Sequence, residues 1–331
     1  MKAFIVSSLL GMTLLLGSNA TYSAELTRQY SCFAGPFESY EKWMGSFAKR
    51  SPNASPEQLE RFTSMLQTKF PEEVFVKYQN NLDCSFFFYE YEEITVAGFI
   101  VSPKEASRFP TIIYNRGGNG NYGAMNFTQL FSDVFGLADR GFTIIGSQYR
   151  GAGNPKSPHQ DEFGGADVYD VLALPSLFDD FPSIDPEKVG VMGYSRGAMQ
   201  TMLALKDGLK AEAAVLVAGA YDLVKELEFR PEMERVFQHR IPNYESNKME
   251  LLQDRSALLW LDQLDQDTPF LIISGDQDER VDVQQSITLD KQLRSINFDS
   301  ELVIFKGDGH TLYRHKEEMF DKVAAFFRQH L

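Results

Sequence analysis

The sequence predicts an α/β protein with a mostly parallel, doubly wound sheet that is opened by an antiparallel hairpin. Short apolar runs alternate with amphipathic helical patterns over the last two thirds of the chain. The runs are continuously apolar, which indicates strands that are covered by helices on both faces. The full length of 331 residues is compatible with one large domain of this class.

The elements follow in chain order from a hairpin. Residues 85–91 and 94–102 are rich in aromatic and β-branched side chains and flank an acidic turn. The strands predicted after the hairpin are residues 111–115, 142–148, 188–192, 213–218, 269–274 and 301–305. The predicted helices are residues 127–139, 166–178, 196–209, 284–295 and 317–330.

Two segments lie outside this alternation. Residues 25 to about 81 show an amphipathic helical pattern with a proline-containing break at residues 52–56, which predicts a small N-terminal helical segment, 25–84, before an α/β domain, 85–331. Residues 222–267, with helical patterns around 226–239 and 247–261, are too many for a simple crossover. We expect this insertion to be either a lid over the active-site end of the sheet or a structural excursion.

The first residues, 1–24, have the pattern of an export signal. Lys2 precedes an apolar stretch, and Ser18-Asn19-Ala20 offers small residues at the cleavage spacing, with a cut after Ala24 as the second choice. The apolar stretch is shorter than the roughly 20 residues that cross a bilayer. We therefore expect an exported protein, periplasmic or secreted, without a membrane span after cleavage; an uncleaved anchor is the alternative.

Composition and charge narrow the classes of partner. The chain is 43% hydrophobic and 24% charged, which is typical of a globular protein. Its formal charge of −14 argues against nucleic acid or an anionic membrane surface as the main partner. Cys32 and Cys84 form either a disulfide, as an oxidising compartment would favour, or two separate buried thiols.

A candidate nucleophile lies in Gly193-Tyr194-Ser195-Arg196-Gly197, which matches G-x-S-x-G. An apolar strand ends directly before the motif and a helical pattern begins directly after it. This is the strand–turn–helix setting of the nucleophile elbow, so we predict the α/β-hydrolase fold with Ser195 as nucleophile. The alternative is an ordinary turn with a capping serine.

A serine nucleophile needs a base, and the base needs an acid that orients it. In this fold the chain order is serine, acid, histidine. His310 follows the last predicted strand and precedes the last helix, while His315 is the rival base five residues later. The segment after the strand 269–274 offers three acids, Asp276, Asp278 and Glu279. The alternative roles for these acids are a turn cap at Asp276, a surface ion pair between Glu279 and Arg280, and a calcium site formed by the carboxylates.

Together these motifs resemble the catalytic domain of the prolyl oligopeptidase family of serine peptidases. The resemblance covers about residue 86 to the C terminus and includes Gly309-His310, Gln148-Tyr149-Arg150-Gly151 and Phe163-Gly164-Gly165-Ala166-Asp167-Val168. In that family the acid is the third residue after the glycine or alanine that ends its strand, which implies Asp278 here. About sixty residues precede the domain, too few for the β-propeller of the family's large members.

Backbone amides near Ser195 are predicted to bind the oxyanion of the reaction. The amide of Arg196, at a helix start, is one candidate donor, and a backbone amide near Gly117 is the second. The remaining candidates for oxyanion or substrate binding are Gly118, Tyr194 and Arg116, whose side chain is expected to bind a substrate carboxylate or to pair with an aspartate. Gly118-x-Gly120-x-x-Gly123 matches a dinucleotide fingerprint, but the next strand ends without the required acid.

The sequence thus predicts a serine hydrolase that cleaves peptide, amide or ester bonds through an acyl-enzyme, without cofactor or metal. The expected partner is a small peptide or acyl ester. The alternatives are a carboxylesterase acting on small acyl esters and, in a different class, a non-catalytic binding protein on a hydrolase scaffold.

Overall fold

The computed structural model describes residues 22–49, 55–153 and 156–331. All but the last three residues of the predicted export signal, 1–24, lie outside the described residues, as does most of the predicted break at 52–56. The strands in the described residues are β1 (Glu25–Ser31), β2 (Leu82–Tyr91), β3 (Ile94–Pro103), β4 (Phe109–Asn115), β5 (Thr143–Ser147), β6 (Ile184–Tyr194), β7 (Ala213–Val217), β8 (Phe270–Gly275) and β9 (Ser300–Phe305).

These strands of the described chain form one sheet in the order β1-β2-β3-β5-β4-β6-β7-β8-β9. From β5 to β9 all neighbours are parallel, whereas β1, β2, β3 and β5 pair antiparallel. The β2–β3 turn has positive φ at Glu92 and Glu93, as a tight hairpin turn requires. The predicted fold class, with its opening hairpin, is confirmed.

The helices of the described residues are α1 (Tyr40–Lys49), α2 (Pro56–Lys69), α3 (Glu72–Asn81), α4 (Phe127–Asp133), α5 (Phe135–Ala138), α6 (Asp167–Leu172), α7 (Arg196–Lys206), α8 (Leu223–Phe229), α9 (Met233–Arg240), α10 (Tyr244–Asp254), α11 (Val283–Ser295) and α12 (Lys316–His330). Two predicted helices are interrupted at prolines. The pattern over 166–178 turns into a 3₁₀ helix, Leu174–Asp180, that contains Pro175. The pattern around residues 226–239 breaks at Arg230-Pro231.

The prediction of helix from residue 25 is wrong for the first seven residues, which form β1 at the edge of the sheet. The segment is almost entirely exposed, so it has no apolar face that would stabilise a helix against the core. The backbone ladder of β2 and the rings of Phe86 and Phe88, near Tyr30, support a strand instead. The domain boundary after residue 84 stays a prediction; β2 runs across it.

Helices α1–α3 pack against α4 through an aromatic cluster centred on Trp43. The indole is fully buried, and the ring centres of Phe70, Phe127 and Phe131 each lie 5.1 Å from it. Cys32 and Cys84 form a disulfide with Cα atoms 5.3 Å apart, so the bonded alternative is confirmed. Among the described residues, no helix has the length and apolar composition that a bilayer crossing requires.

Candidate active site

The nucleophile elbow is formed where β6 gives way to α7. Ser195 lies between them with φ of 56°, a left-handed conformation that is strained for a serine. A Cβ at position 197 would lie 1.9 Å from the carbonyl oxygen of Asn115, and one at position 193 would lie 2.1 Å from the carbonyl oxygen of Gly197. Both glycines of the motif are therefore required by close backbone contacts, as the elbow interpretation predicts.

The three side chains proposed for catalysis form one hydrogen-bonded chain. His310 Nε2 lies 2.9 Å from Ser195 Oγ, and His310 Nδ1 lies 2.7 Å from Asp278 Oδ2. The side chains of His310 and Asp278 are 8% and 1% exposed, so water has little access to their hydrogen bond. The loops after β6, β8 and β9 bring these residues together across more than a hundred positions of sequence.

The carboxylate of Asp278 is fixed from its other side. Its Oδ1 accepts the backbone amides of Arg280 at 2.8 Å and Val281 at 3.0 Å. Asp276 instead accepts the amide of Gly307. The surface pair expected between Glu279 and Arg280 is absent from the ion pairs of the described chain. Asp278 is thus the acid of this loop that contacts the imidazole.

The rival histidine, His315, is engaged elsewhere. Its Nδ1 lies 3.0 Å from Asp308 Oδ2, and its ring stacks on Phe305 with 4.9 Å between ring centres. It directly precedes α12 and makes no hydrogen bond to Ser195 in the described structure. The geometry therefore favours His310 as the base.

Tyr194, predicted as a substrate-binding residue, is hydrogen-bonded to the backbone of His310. Its hydroxyl donates a hydrogen bond to the backbone carbonyl oxygen of His310. Burial raises the pKa of Tyr194 well above its ordinary value, so the phenol stays protonated and able to donate. The last residue of β6 thereby holds the loop that carries the imidazole.

The predicted oxyanion residues flank the serine. A Cβ at Gly117 would lie 3.1 Å from the Cβ of Ser195 and 3.8 Å from its Oγ, so the backbone of the loop after β4 (residues 116–123, here called the oxyanion loop after its predicted role) runs against Ser195. Gly118 follows with φ of 72°, where a Cβ would lie 2.1 Å from the carbonyl oxygen of Tyr122. Arg196 begins α7 on the other side of Ser195.

Arg116 meets neither expectation for its side chain. It is fully buried and donates hydrogen bonds to the backbone carbonyl oxygens of Gln148, Gly117 and Gly120. Among the ion pairs of the described residues it has no aspartate partner, and burial lowers its pKa to about 10. Arg116 therefore shapes the oxyanion loop from inside, because the carbonyl groups of that loop wrap around its guanidinium.

The side chain of Arg196 forms a buried network that sequence reasoning missed. Its guanidinium lies between the rings of Tyr149 and Phe163, at 4.7 and 4.8 Å, and pairs with Asp161 at 2.7 Å and with Asp167. Burial alone would raise the pKa of Asp161. The charge of Arg196 and the backbone amides of Phe163 and Gly120, which donate to Asp161, instead lower this pKa below its ordinary value. The motif at residues 163–168 is visible in the sequence, yet nothing in it identifies Arg196 as the partner.

This network joins the elbow to the oxyanion loop. Asp161 Oδ2 accepts the backbone amide of Gly120 at 2.8 Å while it pairs with Arg196. Arg196 also donates to the carbonyl oxygen of Gly118 at 3.1 Å. Arg196, the residue after Ser195, thus fixes the loop that faces Ser195.

A cleft of about 520 Å³ opens above Ser195 and His310. Its apolar lining includes Phe163 with Met233 and Val236 of the insertion. Its polar lining includes Gln129, Asp133, Arg230, Arg280, Thr311 and Lys316. A slightly larger cleft, about 570 Å³, lies beside Cys84 and contains none of the predicted site residues.

The insertion 222–267 is tied to the loops of the site. Arg240 Nε donates to Asn119 Oδ1 at 3.1 Å, and Arg255 Nε donates to the carbonyl oxygen of Phe163 at 2.9 Å. Its role as a lid stays a proposal. In the part of the chain that the structure describes, no group of three or more histidine, cysteine, aspartate or glutamate side chains is arranged to hold a metal ion.

Comparison with known proteins gives a family and a fold. A sequence model of the prolyl oligopeptidase family matches residues 128–331. The uncharacterized peptidase YtmA of Bacillus subtilis (strain 168) is 26% identical over 205 residues, which cover 62% of this chain and 77% of that protein. The acylaminoacyl peptidase of Pyrococcus horikoshii has a TM-score of 0.63 at 20% identity, over 77% of this chain.

A second similar structure is an acylaminoacyl peptidase in complex with Z-Gly-Gly-Phe-chloromethyl ketone, with a TM-score of 0.62 at 21% identity over 75% of this chain. The present chain covers only 43% and 41% of these two solved chains. The structures therefore show the shared fold, and the family match, which spans more than half of the chain, confirms the resemblance seen in the motifs. The chain belongs to the prolyl oligopeptidase family and is a serine hydrolase of α/β-hydrolase fold.

Proposed function

We propose that the protein hydrolyses peptide or amide bonds through an acyl-enzyme on Ser195, with His310 as general base and Asp278 as the residue that orients it. The observation that carries the proposal is the continuous chain of hydrogen bonds from Ser195 Oγ through the imidazole to Asp278, at 2.9 and 2.7 Å. Both distances are within the range in which proton transfer and orientation operate.

The geometry supports a two-step reaction. With its Nδ1–H donated to Asp278, a neutral His310 accepts the proton of Ser195 at Nε2 as Oγ attacks the carbonyl carbon. The oxyanion of the tetrahedral intermediate then faces the amide of Arg196 and an amide near Gly117 or Gly118. His310 protonates the leaving amine, and in the second step it takes a proton from the water that releases the acid.

Peptide rather than ester cleavage is favoured by the relatives. YtmA is named as a peptidase, and one of the similar structures is a peptidase bound to a peptidyl chloromethyl ketone. A carboxylesterase would use the same side chains, because leaving-group preference depends on the shape of the cleft. A screen of aminoacyl arylamides against short-chain aryl esters separates the two activities.

The decisive variant is Ser195→Ala. We expect kcat to fall by roughly 10⁴- to 10⁶-fold, and labelling by a fluorophosphonate, which the wild type should show at Ser195, to disappear. The melting temperature is measured in parallel so that loss of activity is not confused with loss of fold. A Ser195→Ala protein that hydrolyses either substrate class at near the wild-type rate would refute the mechanism, and an unlabelled, inactive wild type would favour a binding protein.

We also propose that the protein is exported. The disulfide between Cys32 and Cys84 supports an oxidising compartment, as does the apolar N-terminal stretch. Sequencing the N terminus of the secreted or periplasmic protein tests this directly. The expected first residue is Thr21, or Glu25 for the second cleavage choice, and a mature protein that retains Met1 in the cytoplasm would contradict export.

A further inference from the structure

We propose that the cleft selects peptides whose leaving group carries a free carboxylate, bound by Arg280 and Lys316, so that the enzyme releases C-terminal residues. This inference rests on the proposed peptidase function and adds a substrate class to it. It depends on where the cations of the cleft lie, on which of them are paired, and on which side of the scissile bond they face.

The cleft differs in charge from the rest of the molecule. The chain as a whole carries a formal charge of −14. The exposed or half-buried charged side chains that line the cleft are three cations, Arg230, Arg280 and Lys316, against one acid, Asp133. An excess of positive charge inside a cleft of an acidic protein attracts anionic groups and would repel the ammonium of a free N terminus.

Arg280 is the cation with unused capacity. Arg230 pairs with Glu232 at 3.0 Å and Lys316 pairs with Asp133 at 2.6 Å. No carboxylate of the described residues forms an ion pair with Arg280, and its guanidinium instead contacts the hydroxyl of Tyr122 at 3.4 Å. A guanidinium with free N–H groups binds a carboxylate by two parallel charge-assisted hydrogen bonds.

Arg280 lies at the mouth of the site, where it spans two catalytic loops. Its backbone amide donates to Asp278, and its side chain reaches Tyr122 on the oxyanion loop. Lys316 lies over the ring of Tyr194, 5.7 Å from the ring centre, and the hydroxyl of that tyrosine binds the backbone of His310. Arg280 and Lys316 therefore border the half of the cleft next to the imidazole.

That half must hold the leaving group. His310 has to reach the departing nitrogen to protonate it, so the residue that departs lies on the histidine side. The acyl part is left with the rest of the cleft, whose lining includes the apolar side chains of Phe163, Met233 and Val236. A carboxylate beside Arg280 is then the C terminus of the released residue, and Lys316, which is paired with Asp133, adds positive charge to the same half of the cleft.

The test compares two peptides that differ only at this group. Each is an N-acylated dipeptide, one with a free C-terminal carboxylate and one with a C-terminal amide, and kcat/KM is measured for both. For the wild type we expect the free acid to be cleaved roughly 10- to 100-fold better. Arg280→Gln should bring this ratio close to one, Arg280→Lys should restore part of it, and added salt should reduce it.

Arg235→Gln is the matched control, since Arg235 is an exposed cation of α9 that does not line the cleft. It should leave the ratio at its wild-type value. A wild-type ratio near one, or a ratio that Arg280→Gln leaves intact, overturns the proposal. A second pair of substrates, a succinyl and an acetyl aryl ester, differs in the charge of the acyl group. If Arg280→Gln lowers kcat/KM for the succinyl ester relative to the acetyl ester and leaves the peptide ratio intact, the assignment of Arg280 to the leaving-group side is wrong.

The outcomes also separate this proposal from the function on which it rests. If the protein cleaves both dipeptides through Ser195 without preferring the free acid, only the carboxylate site fails. If neither dipeptide nor any ester or arylamide is cleaved and no fluorophosphonate adduct forms, the hydrolase mechanism itself fails.

Discussion

The catalytic edge of the sheet and the N-terminal helical segment are held together by different forces. Around Ser195 the loops are fixed by buried ion pairs and by backbone contacts, as in the Arg196 network and at Gly197. Around Trp43 the helices are fixed by packed aromatic rings, and one disulfide joins the segment before α1 to β2. A cleft has to stay open for substrate, so its loops cannot be fixed by filling it with apolar side chains, and directional bonds take that role.

The largest effect is expected from Arg196→Met. The substitution leaves the carboxylates of Asp161 and Asp167 buried without their cation, which should lower the free energy of unfolding by roughly 3–5 kcal/mol. It also releases the carbonyl oxygen of Gly118, so kcat/KM should fall by at least about tenfold as the oxyanion loop loses its anchor. Denaturant unfolding and steady-state kinetics measure the two effects.

Arg150→Met is the matched control. Arg150 forms a buried ion pair with Asp170 at 2.7 Å, but it makes no hydrogen bond to the elbow or to the oxyanion loop in the described structure. We expect Arg150→Met to lose about as much stability as Arg196→Met. Under conditions in which the variant and the wild type are equally folded, its kcat/KM should be nearly that of the wild type. Equal losses of activity in both variants would show that the Arg196 network has only a structural role.

An intermediate effect is expected from replacing both Cys32 and Cys84 by serine. The disulfide closes a loop with a sequence separation of 52, for which chain entropy predicts a loss of about 4 kcal/mol. Because the disulfide lies in the N-terminal region and not at the catalytic edge of the sheet, kcat/KM of the folded variant should stay within about twofold of the wild-type value. Thermal unfolding without reductant measures the loss, and a large change in kcat below the melting transition would mean that the two regions are coupled.

The smallest effect is expected from Glu226→Gln in the insertion. Glu226 is buried, accepts a hydrogen bond from Gln285 at 3.1 Å, and burial raises its pKa from 4.5 to about 7. In the unfolded chain the carboxyl releases its proton near pH 4.5, whereas in the folded protein it keeps the proton until about pH 7. The wild type should therefore lose stability as the pH rises through this interval.

The amide introduced by Glu226→Gln would keep the hydrogen bond and remove the titration. Unfolding curves at pH 4 and pH 8 should show the variant close to the wild type at the lower pH and more stable than the wild type at the higher one. An identical pH dependence of both proteins would mean that Glu226 is not the group responsible. The result also decides whether Glu226, a buried carboxyl without a cation partner among the ion pairs of the described residues, lowers the stability of the fold at neutral pH. The carboxylates of Asp161 and Asp167, which pair with Arg196, are the contrasting case.

What the sequence revealed depended on how local each signal was. The elbow is visible because the strand, the two glycines and the helix are contiguous, and His310 follows from chain order once Ser195 is assigned. Strand β1 was missed because its pairing with β2 joins residues about sixty positions apart, and its own composition gives no apolar face. The breaks at Pro175 and Pro231 were readable from the prolines themselves.

The side-chain roles of Arg116 and Arg196 were not predictable in the same way. Arg196 lies in the G-x-S-x-G motif and Arg116 directly precedes the predicted oxyanion glycines, but the partners of Arg196 are 29 and 35 residues away, and those of Arg116 include the carbonyl oxygen of residue 148. An arginine in a motif next to a nucleophile suggests contact with substrate. Only the folded loops show that both guanidinium groups point into the protein.

The hydrogen bond from Tyr194 to the backbone of His310 has a consequence for heat inactivation. Tyr194 belongs to β6, a central strand, so the imidazole is fastened to one of the last parts of the molecule that should open on warming. Fraying of peripheral helices would then leave Ser195 and His310 within hydrogen-bond distance. The protein would keep its turnover up to the temperature at which the sheet unfolds cooperatively.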